Sequence, residues 1–129
     1  MTKKKMNPLS YDLGNALLAR HREICTRFKG RQPKDVSESL VDEAVIPYKS
    51  LLVVIGAPTS LAEGIGWYLE ELARWCESRG LPPINALAVN GQTRRPGAGY
   101  YSAPGCGENW EREVRECIAS RSYPQEISD

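Results

Sequence analysis

Apolar residues recur at three- and four-residue spacing through Leu13, Ala16, Leu17, Ile24 and Phe28, which is the signature of one helical face. Ser10 offers a hydroxyl as N-cap, Asp12 places a carboxylate in the first turn, and Gly30 follows as a C′ residue. The spacing predicts a helix from about residue 10 to 29, after a basic, frayed tail over 1–7. A second short helix is predicted with Val36, Leu40, Val41, Ala44 and Val45 on its apolar side, capped by Asp35 with Glu38 or by Ser37 alone. Pro47 lacks an amide donor and its ring crowds the preceding turn, so Ile46-Pro47-Tyr48 reads as a corner.

The run Leu51–Ile55 carries two messages. Its short, partly β-branched composition suits a buried strand. Its surroundings favour a helix over 48–55, because a Gly56-Ala57-Pro58 turn and a Ser60-x-x-Glu63 capping box follow it. Leu61, Ala62, Ile65, Tyr68, Leu69, Leu72, Trp75 and Cys76 then form one apolar stripe, predicting a long helix over 60–79 that Gly80 and Pro82-Pro83 terminate. Gly64 and Gly66 lie inside that stretch at a cost to helix formation of about 1 kcal/mol each. Close approach of another backbone, or a ligand site lined by backbone, would account for them.

Ile84–Asn90 is apolar on both sides and reads as a short buried strand. Asn90-Gly91 and Pro96-Gly97 are turn signals, and Gly99-Tyr100-Tyr101 can return as a partner strand, giving a small hairpin tipped by Arg94 and Arg95. Such a hairpin must pack on the long helix to be stable. Near Asn109 a last helix begins, with Trp110, Val114, Cys117 and Ile118 on one face, and a loose tail over 123–129 ends the chain. The expected fold class is α+β: a mostly helical single domain over 1–129 with one small β-hairpin.

Composition adds limits. With 41% apolar and 26% charged residues the 129-residue chain fits neither a disordered nor a membrane-spanning class, and a cytoplasmic location is expected. Charge is unevenly placed. Residues 1–34 hold nine Lys/Arg against two Asp/Glu (+7), and residues 35–129 hold eight against fourteen (−6). The two halves can attract each other, or the basic part can meet an acidic partner. Cys25, Cys76, Cys106 and Cys117 show no metal-ligand spacing, so no metal or cofactor is expected. His21, the only histidine, stands among cations and reads as a solvated surface residue.

From Ile46 onward the order of landmarks resembles the C-terminal winged-helix domain of the alkylguanine-DNA alkyltransferases and alkyltransferase-like proteins. The pieces are Ile46-Pro47-Tyr48-Lys49-Ser50-Leu51, then Gly56, Ala62-Glu63-Gly64-Ile65-Gly66, Leu81-Pro82-Pro83-Ile84, Ala88-Val89-Asn90 and Gly97-Ala98-Gly99-Tyr100. The resemblance implies a winged-helix-like middle containing a helix-turn-helix. It does not carry the family's chemistry. The acceptor Pro-Cys-His-Arg motif has no counterpart between Pro83 and Val89, and the family's intercalating arginine falls near Glu63. The short chain also looks like an accessory protein of a mobile element such as a prophage or gene cassette.

Three functions follow as expectations. The first is a non-enzymatic binding protein, DNA-associated, with Arg94 and Arg95 joined by Arg20, Arg27, Lys29 and Arg31 on phosphates. The second is a protein-interaction module or homodimer using Trp67 and the acidic face of helix 60–79. The third is a small-molecule binder, with a pocket between Gly64 and Gly66 and the Tyr100-Tyr101 segment, or a thiol enzyme using Cys106 between its two glycines.

Overall fold

The computed structural model of the protein describes residues 6–128; most of the expected basic tail lies outside that range. Helix α1 runs from Pro8 to Arg27. It starts earlier than the sequence suggests because Asn7, not Ser10, is the cap. The Asn7 side chain accepts the Leu9 amide at 2.9 Å, and Pro8 fills the first turn, where no amide is needed. Ser10 is instead buried, donating to Glu71 Oε1 at 2.6 Å and tying α1 to the long helix. The glycine at 30 is not a left-handed cap. A Cβ there would stand 2.6 Å from Asp35 Cβ and 2.7 Å from the Phe28 ring, so the residue serves close packing.

Helix α2 (Glu38–Ala44) is capped by Ser37, whose hydroxyl accepts the Leu40 amide. Strand β1 (Ile46–Pro47) and helix α3 (Tyr48–Val54) follow, so the ambiguous apolar run is helical. Thr59–Gly64 is a 3-10 helix and α4 spans only Ile65–Ser78. The expected Ser60 capping box does not form; Gly64 precedes α4 with no side-chain cap. Nothing lies within 4 Å of a Cβ built on Gly64 or Gly66, so neither glycine is there for close backbone approach.

The largest departure concerns the expected hairpin. Ile84–Leu87 forms a 3-10 helix, and only Ala88–Val89 is extended, as β2. Strand β2 pairs in parallel with β1, Ile46 opposite Ala88 and Pro47 opposite Val89. Tyr100 and Tyr101 lie in a further 3-10 helix, Ala98–Ser102, and form no returning strand. The corner at Pro47 supplies a partner that lies far away in sequence, and local pattern could not reveal it. The segment 84–89 is buried as expected, pinned by Trp110 Nε1 on the Ala86 carbonyl (2.9 Å) and the Cys117 thiol on the Pro83 carbonyl (3.1 Å). Both anchors come from helix α5 (Trp110–Ala119).

The core joins Leu13, Leu17 and Leu18 of α1 to Leu72 of α4 and to Val114 and Ile118 of α5. The domain is thus mostly helical α+β with one two-stranded sheet. No helix among the described residues is long and apolar enough to cross a membrane.

The C-terminal segment is not loose. Ile127 is buried and its amide donates to Asn15 Oδ1 at 2.7 Å. Trp75 Nε1 and Arg79 both donate to the Ser128 carbonyl, at 2.9 and 3.1 Å. Beneath this strap lies His21, which is buried and not solvated as its neighbours in sequence suggest. Its Nε2 meets the Ser120 carbonyl at 3.1 Å, and its ring meets the edge of Tyr123. Burial pushes the imidazole below its ordinary value, and Arg121 and Arg22 add to the effect. The folded state therefore resists a proton that the unfolded chain accepts near pH 6.5. Stability should be full above that pH and fall as the pH drops below it. Urea midpoints between pH 7.5 and 5 measure this, and a His21→Phe variant should lose most of the slope.

Candidate functional site

A cavity of about 580 Å³ opens where α3, α4, β2 and the loops after β2 converge. Its buried base is formed by Ile65 and Leu69 of α4, with Ala88, Asn85, Tyr100 and Ala103. Its exposed rim carries Lys49, Glu63 and the backbone of Gly91, Gln92 and Gly97–Gly99. Size and apolar-to-polar mixture suit a small organic ligand. The local sequence explains the shape. Asn90 turns the chain by accepting the Gln92 amide on its side chain (2.8 Å), while its own amide donates to the Arg95 carbonyl (2.8 Å). The loop then returns, and the Gly97 amide donates to the Tyr48 hydroxyl at 2.7 Å, fastening one lip of the cavity to α3.

Tyr100 forms the opposite wall and is held from behind. Its hydroxyl donates to Glu113 Oε1, and the same carboxylate receives the amides of Gly107 (2.9 Å) and Asn109 (3.0 Å). Glu113 is only 4% exposed, yet all three of these donors satisfy it. Burial, reinforced by the bond to Glu113, drives the Tyr100 phenol far above its usual range, so it keeps its proton. Asn85 is 2% exposed. Its Nδ2 donates weakly to Cys106 Sγ at 3.6 Å, and its Oδ1 accepts no hydrogen bond. Glu113 and Asn85 are among the site residues that sequence reasoning passed over. Each had a signal: a carboxylate on the apolar face of α5, and the one polar side chain within Pro83–Val89.

Of the residues expected to line a pocket, Gly66 and Tyr100 line this one and Gly64 and Tyr101 do not; Trp67, expected at a partner interface, is not part of its lining. Trp67 is 58% exposed on α4, with its ring against the edge of Tyr68.

Cys106 lies behind the cavity wall and is partly buried. A thiol enzyme would need an accessible thiolate, which a helix N-terminus beside Cys106 could favour, and here it does not. Helix α5 starts four residues later, and the Asn109 side chain and carbonyl occupy its Arg112 and Glu113 amides. Burial pushes the thiol up to about 11, with Glu113 and Glu77 adding to the rise while the Asn85 amide opposes it. Iodoacetamide at pH 7.5 should therefore alkylate Cys106 about 100-fold or more slowly than free cysteine, whose thiol titrates near 8.5. Peptide mapping with a competing model thiol measures the ratio.

The expected basic patch is largely occupied by intramolecular work. Arg20 donates to the Glu43, Ala44 (2.7 Å) and Val45 (3.1 Å) carbonyls at the C-terminal end of α2. Arg94 donates to the Asp42 carbonyl at 3.0 Å, and Arg27 pairs with Glu43. Cations suit these unpaired carbonyls and the negative end of the helix. Arg95 sits 3.7 Å from Glu111 and over the Trp110 ring. All the candidate phosphate contacts but the half-buried Arg20 stay exposed: Arg27, Lys29, Arg31, Arg94 and Arg95. The segregated charges of the sequence thus meet, in part, within the molecule.

Among the described residues no group of three or more His, Cys, Asp or Glu is arranged to hold a metal ion. Comparison with protein-family models, curated proteins and solved structures finds no match to this chain.

Proposed function

We propose that this protein is a small-molecule-binding protein whose ligand occupies the cavity between α3, α4 and Tyr100. The observation that carries the reading is the cavity itself, about 580 Å³, with a buried base of Ile65, Leu69, Ala88 and Tyr100 and an exposed rim that carries Lys49 and Glu63. The Glu113 brace behind Tyr100 keeps one wall preorganised, which lowers the entropic cost of binding. The test is a fragment titration followed by 1H–15N NMR. Shifts should concentrate on the Asn85 side-chain amide, Ile65, Ala88 and 97–100, and a Leu69→Trp variant that fills the cavity should abolish them. Scattered shifts, or binding indifferent to Leu69→Trp, would reject the reading.

The DNA-associated reading has less support. A winged-helix-like middle would rest on α3, the Gly56 turn and α4, without an antiparallel wing. Arg20, Arg27 and Arg94 are already engaged, and α4 carries Glu70, Glu71 and Glu77. The interaction-module reading has one favouring observation, the exposed side chains of Trp67 (58%), Val53 (65%) and Val54 (66%). Light scattering tests its homodimer form, which requires a dimer that Trp67→Ala dissolves.

A further inference from the structure

We propose that residues 121–128 form a strap that opens as a unit when His21 takes up a proton, baring an apolar slot between α1 and α4. The strap lies apart from the cavity, which none of its residues lines, so its behaviour does not depend on what binds there. It forms no helix or strand, and among the described residues no backbone–backbone hydrogen bond ties it to the body. Its backbone is instead met by side chains from α1 and the end of α4. Arg22 donates to the Gln125 carbonyl, Asn15 accepts the Ile127 amide, and Trp75 and Arg79 donate to the Ser128 carbonyl. Arg121 holds the hinge by donating to the Cys25 and Phe28 carbonyls at 3.1 and 3.4 Å. Of the strap's side chains only Ile127 is buried, with Tyr123 half-buried. A segment with so few buried contacts opens at a lower free energy than the helices beneath it. The slot is shaped for it. A Cβ on Gly14 would stand 2.8 Å from Ile127 Cγ1 and 2.7 Å from Leu72 Cδ2, so glycine at that place in α1 is what admits the isoleucine.

His21 and Gly14 lie two turns apart on one face of α1, and the strap runs along that face, with Tyr123 at His21 and Ile127 at Gly14. The imidazole is 6% exposed and touches the strap where it begins. Nε2 lies 3.1 Å from the Ser120 carbonyl, and the ring centroid is 4.7 Å from that of Tyr123. A carbonyl only accepts, so the neutral ring carries its proton on Nε2 and a second proton goes to Nδ1, which makes no hydrogen bond. The charged side chains acting on the ring are both cations, Arg121 of the strap and Arg22 of α1. From α5 the Ser120 and Cys117 carbonyls favour the charged ring, but burial outweighs them. The other titratable groups around it are Tyr123, which burial keeps protonated, Cys25, whose thiol shares the Ser120 carbonyl at 3.8 Å, and Cys117, which accepts the Tyr123 hydroxyl at 3.3 Å. Lifting the strap lets water reach the imidazole, which then binds its proton near pH 6.5. The strap is therefore closed above that pH, and its open population grows as the pH falls below it.

Native-state hydrogen exchange on the full chain, followed by NMR, tests both the opening and its trigger. The Ile127 amide and the Trp75 indole N–H report the strap, and the Leu17 and Leu72 amides report the core. Exchange of the strap groups should hardly respond to low urea, because opening exposes little surface, whereas core exchange should accelerate steeply. Corrected for the intrinsic rate, protection of the strap groups should fall about five- to tenfold between pH 7.5 and 5.5. His21→Phe keeps a ring against Tyr123 but takes no proton, so that fall should vanish. If this variant does not fold, the parent's own curve decides, since His21 is the only histidine: protection should be flat above about pH 7 and drop below about pH 6. Strap groups that share the urea slope of Leu17 and Leu72 would overturn the proposal, because no separate unit would open. Protection that stays level down to pH 5, or that falls equally in His21→Phe, would overturn it by removing His21 as the trigger.

Discussion

Replacing Glu113 by alanine is expected to destabilise the protein by about 3–5 kcal/mol, a large part of what a domain this size has to lose. The carboxylate ends three hydrogen bonds, from Tyr100, Gly107 and Asn109, and it does so at 4% exposure. Truncation would leave a phenol and two amides without acceptors in a place that water reaches poorly. Each such group costs about 1–3 kcal/mol when buried and unpaired. Glu113→Gln should cost less, about 1–3 kcal/mol, because its amide keeps one oxygen but turns a nitrogen toward a donor. Urea unfolding of the three proteins, monitored by circular dichroism, gives the order directly. A Glu113→Ala protein within 1 kcal/mol of the parent would mean that the brace behind Tyr100 is slack. The expected loss has a functional side as well, since Tyr100 is a wall of the cavity and Glu113 is the acceptor for its hydroxyl.

What the chain revealed in advance, and what it withheld, follows from the range of the interactions concerned. Helix α5 with its cap at Asn109 and the end of α4 at Gly80 are set by neighbours within four residues, so periodicity and capping signals found them, and the burial of 84–89 showed in its apolar composition. The parallel pairing of Pro47 with Val89 joins residues some forty positions apart, and a two-residue strand carries no pattern of its own. Asn90-Gly91 was a true turn, but the chain after it coils into a 3-10 helix in place of a returning strand. His21 misled for the same reason. Its neighbours Arg20 and Arg22 are polar, yet Arg20 reaches α2 and Arg22 reaches the Gln125 carbonyl at 2.7 Å, and between them the imidazole turns inward. The site was legible in pieces. Gly66 and Tyr100 were placed on a pocket, whereas Asn85, the one polar side chain in an otherwise apolar run, was read only as part of a buried strand. The arginines were read as free charge because sequence shows where a cation is and not which carbonyl it meets.

The two glycine-to-alanine changes Gly107→Ala and Gly66→Ala should move stability in opposite directions. Gly107 has φ +95°, a conformation that side chains rarely adopt, and an added Cβ would stand 2.5 Å from the Tyr101 carbonyl oxygen and 2.7 Å from Tyr101 Cα. Those are backbone atoms, so relief requires moving the 3-10 helix Ala98–Ser102, with Tyr100 in it. Backbone strain and crowding together should cost about 2–4 kcal/mol. Gly66 lies in the first turn of α4 with nothing within 4 Å of its Cβ position. Alanine there should gain about 0.5–1 kcal/mol by restricting the unfolded chain and favouring the helix. Equilibrium unfolding in urea reads both. Function should divide along a different line. Gly107 donates its amide to Glu113, so displacing it loosens Tyr100, and ligand shifts at the cavity should weaken together with stability. The Gly66→Ala protein gains stability but adds a methyl at the cavity rim, so any change in its affinity should track ligand size. A Gly107→Ala protein as stable as the parent would contradict the tight backbone contact, and with it the argument that this loop holds the cavity in shape.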